Sequence, residues 1–472
     1  MSRQSMSALP MKDSSNKNIS NLKITAKMKK YFILPVAVLM GALTFTSCNS
    51  DDDDDTPDNT EFNIVRTPPM VDDDTYSQNT TEANYSSRTF GNTAIDACIG
   101  LVAELTKANT VIASSRLTEQ QEAYLRKVLE NLVSNVIVPT YTKLADDVED
   151  LEKTLNGLTV STITQAQIDK ACADFKQARE NWELSEAFLM GAASDFDVDP
   201  TIDSWPLNRS LLLNYFNTGM SEEMLEDQTI LGFHALEFIL FRNGQNRKVG
   251  EFQGNDTYTN FTAVTGAQEL KYAQDICALL KHRCYQLQVA WEGETAANTD
   301  RVAVVKAAGL DYTTSSGLSY GDNLTKAGIS GSKSSFATLQ AAIAQVLSDD
   351  EGSCVGIANE VGTAKIANPF ASGDIAYVES PYSYNSITDF RDNIRSIRNI
   401  WLGSVNKTAN DYSFHTFFTT VGQTAVNTAV ENAYVAAIAS ISNMPAPFVK
   451  YCSVVWGKDF DNPDNWDSTT EE

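Results

Sequence analysis

The segment from Ile230 to Phe241 reads ILGFHALEFILF and is apolar around its whole circumference except at Gly232, His234 and Glu237. A helix that is hydrophobic on every side is a buried one, so the pattern predicts an imidazole and a carboxylate inside the protein. Positions i and i+3 share a face, and the two groups can touch or share a ligand. A buried carboxylate without a partner costs several kcal/mol. Glu237 therefore needs a cation, a metal ion or protonated His234 beside it, and a satisfied core His–Glu pair meets the same requirement.

Two further places carry acids where apolar residues are expected. A stripe of Ile168, Cys172, Phe175 and Trp182 reaches Glu186 one turn later, within WELSEAFLMG, with Ser185 beside it. Further on, Glu379-Ser-Pro-Tyr-Ser383-Tyr-Asn385 precedes a helical pattern carrying Asp389, Asn393 and the basic positions Arg391, Arg395 and Arg398. Arginines at that spacing can hold an anion, although such a run also serves as a solvated face paired with carboxylates.

The elements that must position these groups read as helix almost throughout. Leu125, Val128, Leu129, Leu132 and Val136, then Leu144, Val148 and Leu151, recur at helical spacing, with Pro139 expected to kink or break the run. Similar stripes cover 164–190, 267–292, 336–346, 387–401 and 414–441. Strand alternation is scarce, so the expected fold class is all-α. The stretch 311–335 is rich in Gly, Ser and Thr without sustained apolar periodicity. It divides the chain into a first helical bundle over 88–310 and a second over 336–460, followed by an acidic tail at 461–472.

The chain has 472 residues, 36 Lys+Arg against 61 Asp+Glu, and a formal charge of -25. That balance argues against nucleic acid, whose phosphates demand basic patches. Near the start, Lys29 and Lys30 precede an apolar run from Tyr31 to Phe45. This pattern describes a signal peptide over 1–47 with a true start near Met28; the run is too short for a membrane-spanning helix. Thr46-Ser47-Cys48 resembles the end of a bacterial lipobox, which implies lipidation of Cys48 and an outer-membrane lipoprotein, facing the periplasm or the cell surface. The acidic run Asp51 to Asp55 and the residues to 87 are expected to form a disordered tether. With Cys48 lipidated, six of the seven cysteines remain; Cys277 and Cys284 lie two helical turns apart, about 10 Å, too far to bond to each other.

Gly232-Phe-His234-Ala-Leu-Glu237 resembles the G-x-H-x-x-E signature of imelysin-like proteins. Ala178-Arg179, Trp182, Ser185-Glu186-Ala187-Phe188 and Gly191, then Asp203-Ser204-Trp205-Pro206, resemble the motifs that precede it. Glu379, Ser383, Asn385, Asp389, Asn393 and Gly403 resemble the C-terminal pattern, with Pro381-Tyr382 as a departure from it. The resemblance implies two helical-bundle domains with a pocket between them, in exported proteins associated with iron uptake that are also classed as metallopeptidases. It implies a metal site at His234, Glu237 and Glu186, with Ser185, Asp203, Glu379, Ser383 and Asp389 as ligand-binding residues.

The expected function is a cell-envelope lipoprotein that binds a metal ion (iron or zinc) or a small ligand in iron acquisition, with an iron-transport receptor as partner. The alternative is a zinc-type metallopeptidase using Glu237. A zincin, however, needs H-E-x-x-H, and its inverted form needs histidine at 238, where this chain has Phe238. The remaining histidines are His282, expected to be solvated, and His415, expected in a loop or at a helix start. An oxygen-rich site with one imidazole suits a hard cation better.

Overall fold

The computed structural model describes residues 63–72, 89–258, 260–349, 351–372 and 377–452. The expected signal peptide, Cys48, most of the expected tether and the acidic tail lie outside the described residues. The fold is all-α; a two-residue hairpin, Phe241–Arg242 paired with Gln245–Asn246, is the sole sheet among the described residues.

Local sequence sets the helix starts. Thr118 with Gln121, Thr164 with Gln167 and Thr265 with Gln268 form three capping boxes of identical chemistry, opening the helices Glu119–Leu132, Gln165–Glu183 and Gly266–Glu292. In each, the threonine hydroxyl and the glutamine amide satisfy backbone N–H groups that the first turn leaves bare. The break expected at Pro139 takes the form of a π-helical turn, Val133–Ile137, just before the helix Val138–Asn156. Widening the helix there accommodates a residue with no N–H to donate, and the apolar stripe continues across it.

Helix Gly266–Glu292 packs along Val138–Asn156, which in turn packs along Gln165–Glu183. The helix Thr89–Ser114 lies within the span expected for the first bundle. Its neighbours are nonetheless helices of the second half, Thr424–Ser442 and Cys354–Glu360, together with the π-helical segment Val361–Ala367. Helix Ser386–Leu402 touches both Gln165–Glu183 and Thr424–Ser442, and one continuous apolar core runs through all of these elements.

Residues 63–72 were expected to be part of a disordered tether and are instead an extended strap on the C-terminal helices. Arg66 pairs with Asp411 at 2.7 Å, the Thr67 carbonyl meets His415 Nε2 at 2.9 Å, and Tyr434 donates to the Met70 carbonyl at 2.7 Å. Asp72, buried, pairs with Arg395 at 2.9 Å and also with Arg398. The anion held by this part of the basic stripe is thus the chain's own carboxylate, while Arg391 pairs with Asp392. His415 stands at the start of helix Phe414–Thr420, fully buried, with Glu431 2.6 Å from its Nδ1. His282 is partly buried rather than solvated. Cys98, Cys277, Cys284 and Cys354 are buried free thiols that pack as small apolar residues, Cys172 is a buried thiol that donates to the Leu240 carbonyl at 3.4 Å, and Cys452 is buried as well.

Candidate metal centre

Gly232 explains how the helix Gly232–Leu240 is placed. Its φ is +75°, and a Cβ there would lie 2.0 Å from the carbonyl oxygen of Ile202. Only glycine lets the helix start press against the end of the short helix Val198–Ile202. That contact brings His234 to Asp203, the residue after Ile202, with Nε2 3.1 Å from Oδ1. Every residue of Gly232–Leu240 is buried, as the all-round apolar pattern requires.

Glu237 lies on the same face as His234, with Oε2 3.4 Å from Nδ1. Its other oxygen accepts from the Ser383 backbone N–H at 2.7 Å and hydroxyl at 2.6 Å. The loop carrying Ser383 docks by two neighbours: Tyr382 packs edge-on against Phe238, and its carbonyl accepts from Gly244 in the hairpin at 2.8 Å. Docking at Pro381-Tyr382 thus sets where Glu379 and Ser383 fall.

Arg179, from helix Gln165–Glu183, is the hub of the site. Its guanidinium reaches Glu183 at 2.5 Å, Glu379 at 2.6 Å and Asp389 at 3.5 Å, and it also pairs with Asp203. Trp182 Nε1 donates to the second oxygen of Asp203 at 2.7 Å. Lys365 donates to Glu379 at 3.2 Å. Ser380 and Asn385 hold Asp389 at 2.5 Å each, and Asn393 holds Glu183 at 2.5 Å. Lys365 projects from the π-helical segment Val361–Ala367, Asp389 and Asn393 from helix Ser386–Leu402, and Glu186 from the turn Glu186–Phe188. The half-buried Asp199 and Glu360 form a rim, with 34% of the Glu360 side chain exposed.

Six carboxyls (Glu183, Glu186, Asp203, Glu237, Glu379 and Asp389) are buried here against three bases, Arg179, His234 and Lys365. The imbalance shows in their protonation. Burial pushes Glu183 and Glu186 well above the usual carboxylate range, and Asp389 up to about 7. Asp203 goes the other way: Arg179 and His234 outweigh its burial and hold it far below the ordinary value. Burial alone would lower His234, but the carboxylates of Asp203 and Glu237 reverse that and raise it to about 9. Arg179 and Lys365 stay charged because the surrounding acids overcome their burial.

Two buried polar atoms in this cluster, Glu379 Oε2 and Asn393 Oδ1, have neither a hydrogen-bond nor an ion-pair partner among the described residues. Native interiors leave few such atoms. Three groupings have ligand atoms within 4.8 Å of one another: Asp203–His234–Glu379, Glu183–Glu379–Asp389 and Glu183–Glu186–Asp203. An excess of oxygen donors with one imidazole is the chemistry of a hard-cation site.

Of the residues singled out from sequence, His234, Asp203, Glu379, Glu186 and Asp389 all belong to these groupings. Glu237 and Ser383 do not; they form the pair that fixes His234 Nδ1. Ser185 faces its own helix end, donating to the Trp182 carbonyl at 2.7 Å. The sequence reading missed Glu183, Lys365 and the hub role of Arg179. Arg179 was legible, since Phe175, Arg179, Trp182 and Glu186 continue one helical stripe. Lys365 was not, because the π-turn re-aims it.

Residues 137–464 match the sequence profile of the imelysin family, peptidase family M75. Over 285 residues the chain is 24% identical to iron-regulated protein A of Synechococcus elongatus, covering 60% of this chain and 66% of that relative, just under two thirds of its length. A crystal structure from Parabacteroides distasonis, described as an iron-regulated protein A precursor, superposes with a TM-score of 0.54 at 22% identity. The match covers 70% of this chain and 96% of that one, and it establishes the shared fold.

Proposed function

The chain belongs to the imelysin family, and from that premise we propose that it binds a hard metal cation, iron foremost, at the buried carboxylate cluster. Asp203, His234 and Glu379 would hold the ion, with Glu183 and Glu186 within reach of the same space. The observation that carries this reading is the surplus of buried carboxyls over bases, six against three, with Glu379 Oε2 left without a donor. A bound cation would supply the missing positive charge. Arg179 and Lys365 orient the acids, and Glu237, held by Ser383, fixes the ring of His234 through Nδ1.

Placed in a cell, the protein is a lipoprotein of the outer membrane, anchored through Cys48 and serving iron acquisition alongside a transport receptor. A peptidase lacks support in this geometry. Glu237 is fully buried, with Oε1 held by Ser383 and Oε2 turned to His234, which does not leave it poised as a general base on an exposed water. His415 is committed to Glu431 and Thr67, away from the cluster.

The test is metal content and titration calorimetry on the purified chain with ferrous, ferric and zinc ions. One equivalent of iron is expected, lost in His234→Ala and Glu379→Gln. Absence of binding above background, or binding unchanged in both variants, refutes the proposal. Chelator-sensitive cleavage of an unstructured protein that Glu237→Gln abolishes would establish the peptidase instead.

A further inference from the structure

Lys365 differs from the other two cations of the cluster in how it is held. Arg179 spreads its guanidinium over Glu183, Asp203, Glu379 and Asp389, and His234 is clasped between Asp203 and Glu237. Withdrawing either would strip several buried acids at once. Lys365 makes a single hydrogen bond, to Glu379 Oε1 at 3.2 Å, and that oxygen already receives Arg179 at 2.6 Å. Its second carboxylate neighbour is Glu360, 3.8 Å away, whose side chain is 34% exposed at the rim. The buried ammonium thus touches one interior acid and one that reaches solvent.

The π-helical segment Val361–Ala367 creates this placement, following directly on the helix Cys354–Glu360. In an α-helix, residues five apart point about 140° away from each other, whereas the i→i+5 bonding of a π-turn brings them onto one face. Glu360 and Lys365 are five apart, and the wider turn lets them meet. The half-buried Trp205 ring lies 5.2 Å from Nζ and offers the ammonium a further cation-binding face.

Glu379, Glu186 and Glu183 are the acids that most strongly keep this ammonium charged against its burial, and all three belong to candidate ligand groupings. Lysine is a compact point charge on a flexible stem, unlike arginine with its fixed fork. An ammonium and a metal cation drawn to the same carboxylates repel each other, most strongly where water is excluded. Given metal binding at these acids, the reading on which this rests, we propose that Lys365 is a displaceable counter-ion. It holds Glu379 in the metal-free protein, yields that carboxylate to the incoming cation and turns to Glu360 at the rim. Lys365 thereby stabilises the metal-free fold and weakens the affinity for the ion.

The experiment compares the full chain with Lys365→Met, Lys365→Gln and Lys365→Arg by titration calorimetry with ferrous, ferric and zinc ions, and by thermal melts with and without metal. Whichever of these ions the parent binds should bind Lys365→Met about tenfold tighter. The metal-free variant should melt below the metal-free parent, and the gap should narrow at saturation. Lys365→Arg, which keeps the charge, should not tighten binding. A merely structural lysine would lower both melting temperatures alike and leave the affinity unmoved. That result, weaker binding, or equal tightening in Lys365→Arg overturns the proposal. If Lys365→Met fails to fold, Lys365→Gln decides in its place, and failure of both makes the ammonium structural and overturns it as well. No binding by the parent refutes the metal centre itself and this inference with it, whereas binding by the parent without tightening in the variants refutes the inference alone.

Discussion

Gly232→Ala separates the geometry of the metal centre from its chemistry. At φ +75° an alanine incurs roughly 1–2 kcal/mol from its backbone conformation alone. Its Cβ would also meet the carbonyl oxygen, carbonyl carbon and Cα of Ile202 at 2.0, 2.3 and 2.5 Å. All three are backbone atoms, so no rotamer change relieves the clash, and overpacking of that kind adds roughly 1–3 kcal/mol. The expected loss is therefore about 2–5 kcal/mol, read by urea denaturation with an unchanged slope. Gly422→Ala is the internal control: φ is also +75°, but nothing lies within 4 Å of its Cβ position, so only the conformational part remains. In the surviving folded fraction of Gly232→Ala the helix must retreat from Ile202. His234 then leaves Asp203, and its pKa falls from about 9 toward 6.5, observable by NMR titration of the ring. Equal losses in the two variants, or an unmoved His234 titration, refute the argument that Gly232 sets the His234–Asp203 contact.

Three other outcomes follow from the same structure. Asp72→Asn should cost about 3–4 kcal/mol, the lower part of the range for a broken buried pair because Arg395 keeps Asp392 and Arg398 keeps Asn399. Arg398 and Arg395 hold Asp72 below its ordinary value despite burial, so this contribution is present above about pH 4 and lost as pH falls through the depressed value, measurable as a pH-dependent melting difference from the parent. Glu237→Gln should lower the His234 pKa while iron affinity falls only modestly, whereas Asp203→Asn should lower both; equal effects on affinity would make Glu237 a ligand. Metal-free protein should lose stability as pH rises from about 4 to 9. The fold binds extra protons at Glu183 and Glu186, which burial raises well above the ordinary carboxylate range, and at Asp389 up to about 7; His234 contributes roughly 3 kcal/mol below 6.5 that is lost through 9. Saturating iron should flatten that slope, and thermal melts across the range with and without metal check both halves.

What could be read in the sequence was the part governed by helical periodicity. The all-α class, the buried helix around His234 and the inward Glu186 all follow from apolar residues recurring at one spacing, with acids interrupting them. What escaped was whatever depends on contacts distant in sequence or on a departure from the α period. The strap at 63–72 has no periodicity, and its order comes from Asp411, His415, Arg395 and Arg398, more than 300 residues away. Lys365 looks unremarkable until a π-turn rotates it inward. Helix Thr89–Ser114 carries an ordinary amphipathic pattern that says which face is buried but not against which partner, and it lies on helices of the second half.

The distribution of charge at the centre bears on whether the cluster is structural or functional. A stability network tends toward matched pairs, as in the second buried set, where Arg242 and Arg247 face Asp256 and Glu269. Around Arg179 the acids exceed the bases, and Glu379 Oε2 touches no donor. Glu379 is shared between two of the candidate ligand groupings, bridging the first-half acids to Asp389. Arg179 holds its reach to both sides through Glu183, Asp203 and Glu379. That arrangement keeps carboxylates together that would otherwise repel, and it leaves a deficit of positive charge that a cation can fill.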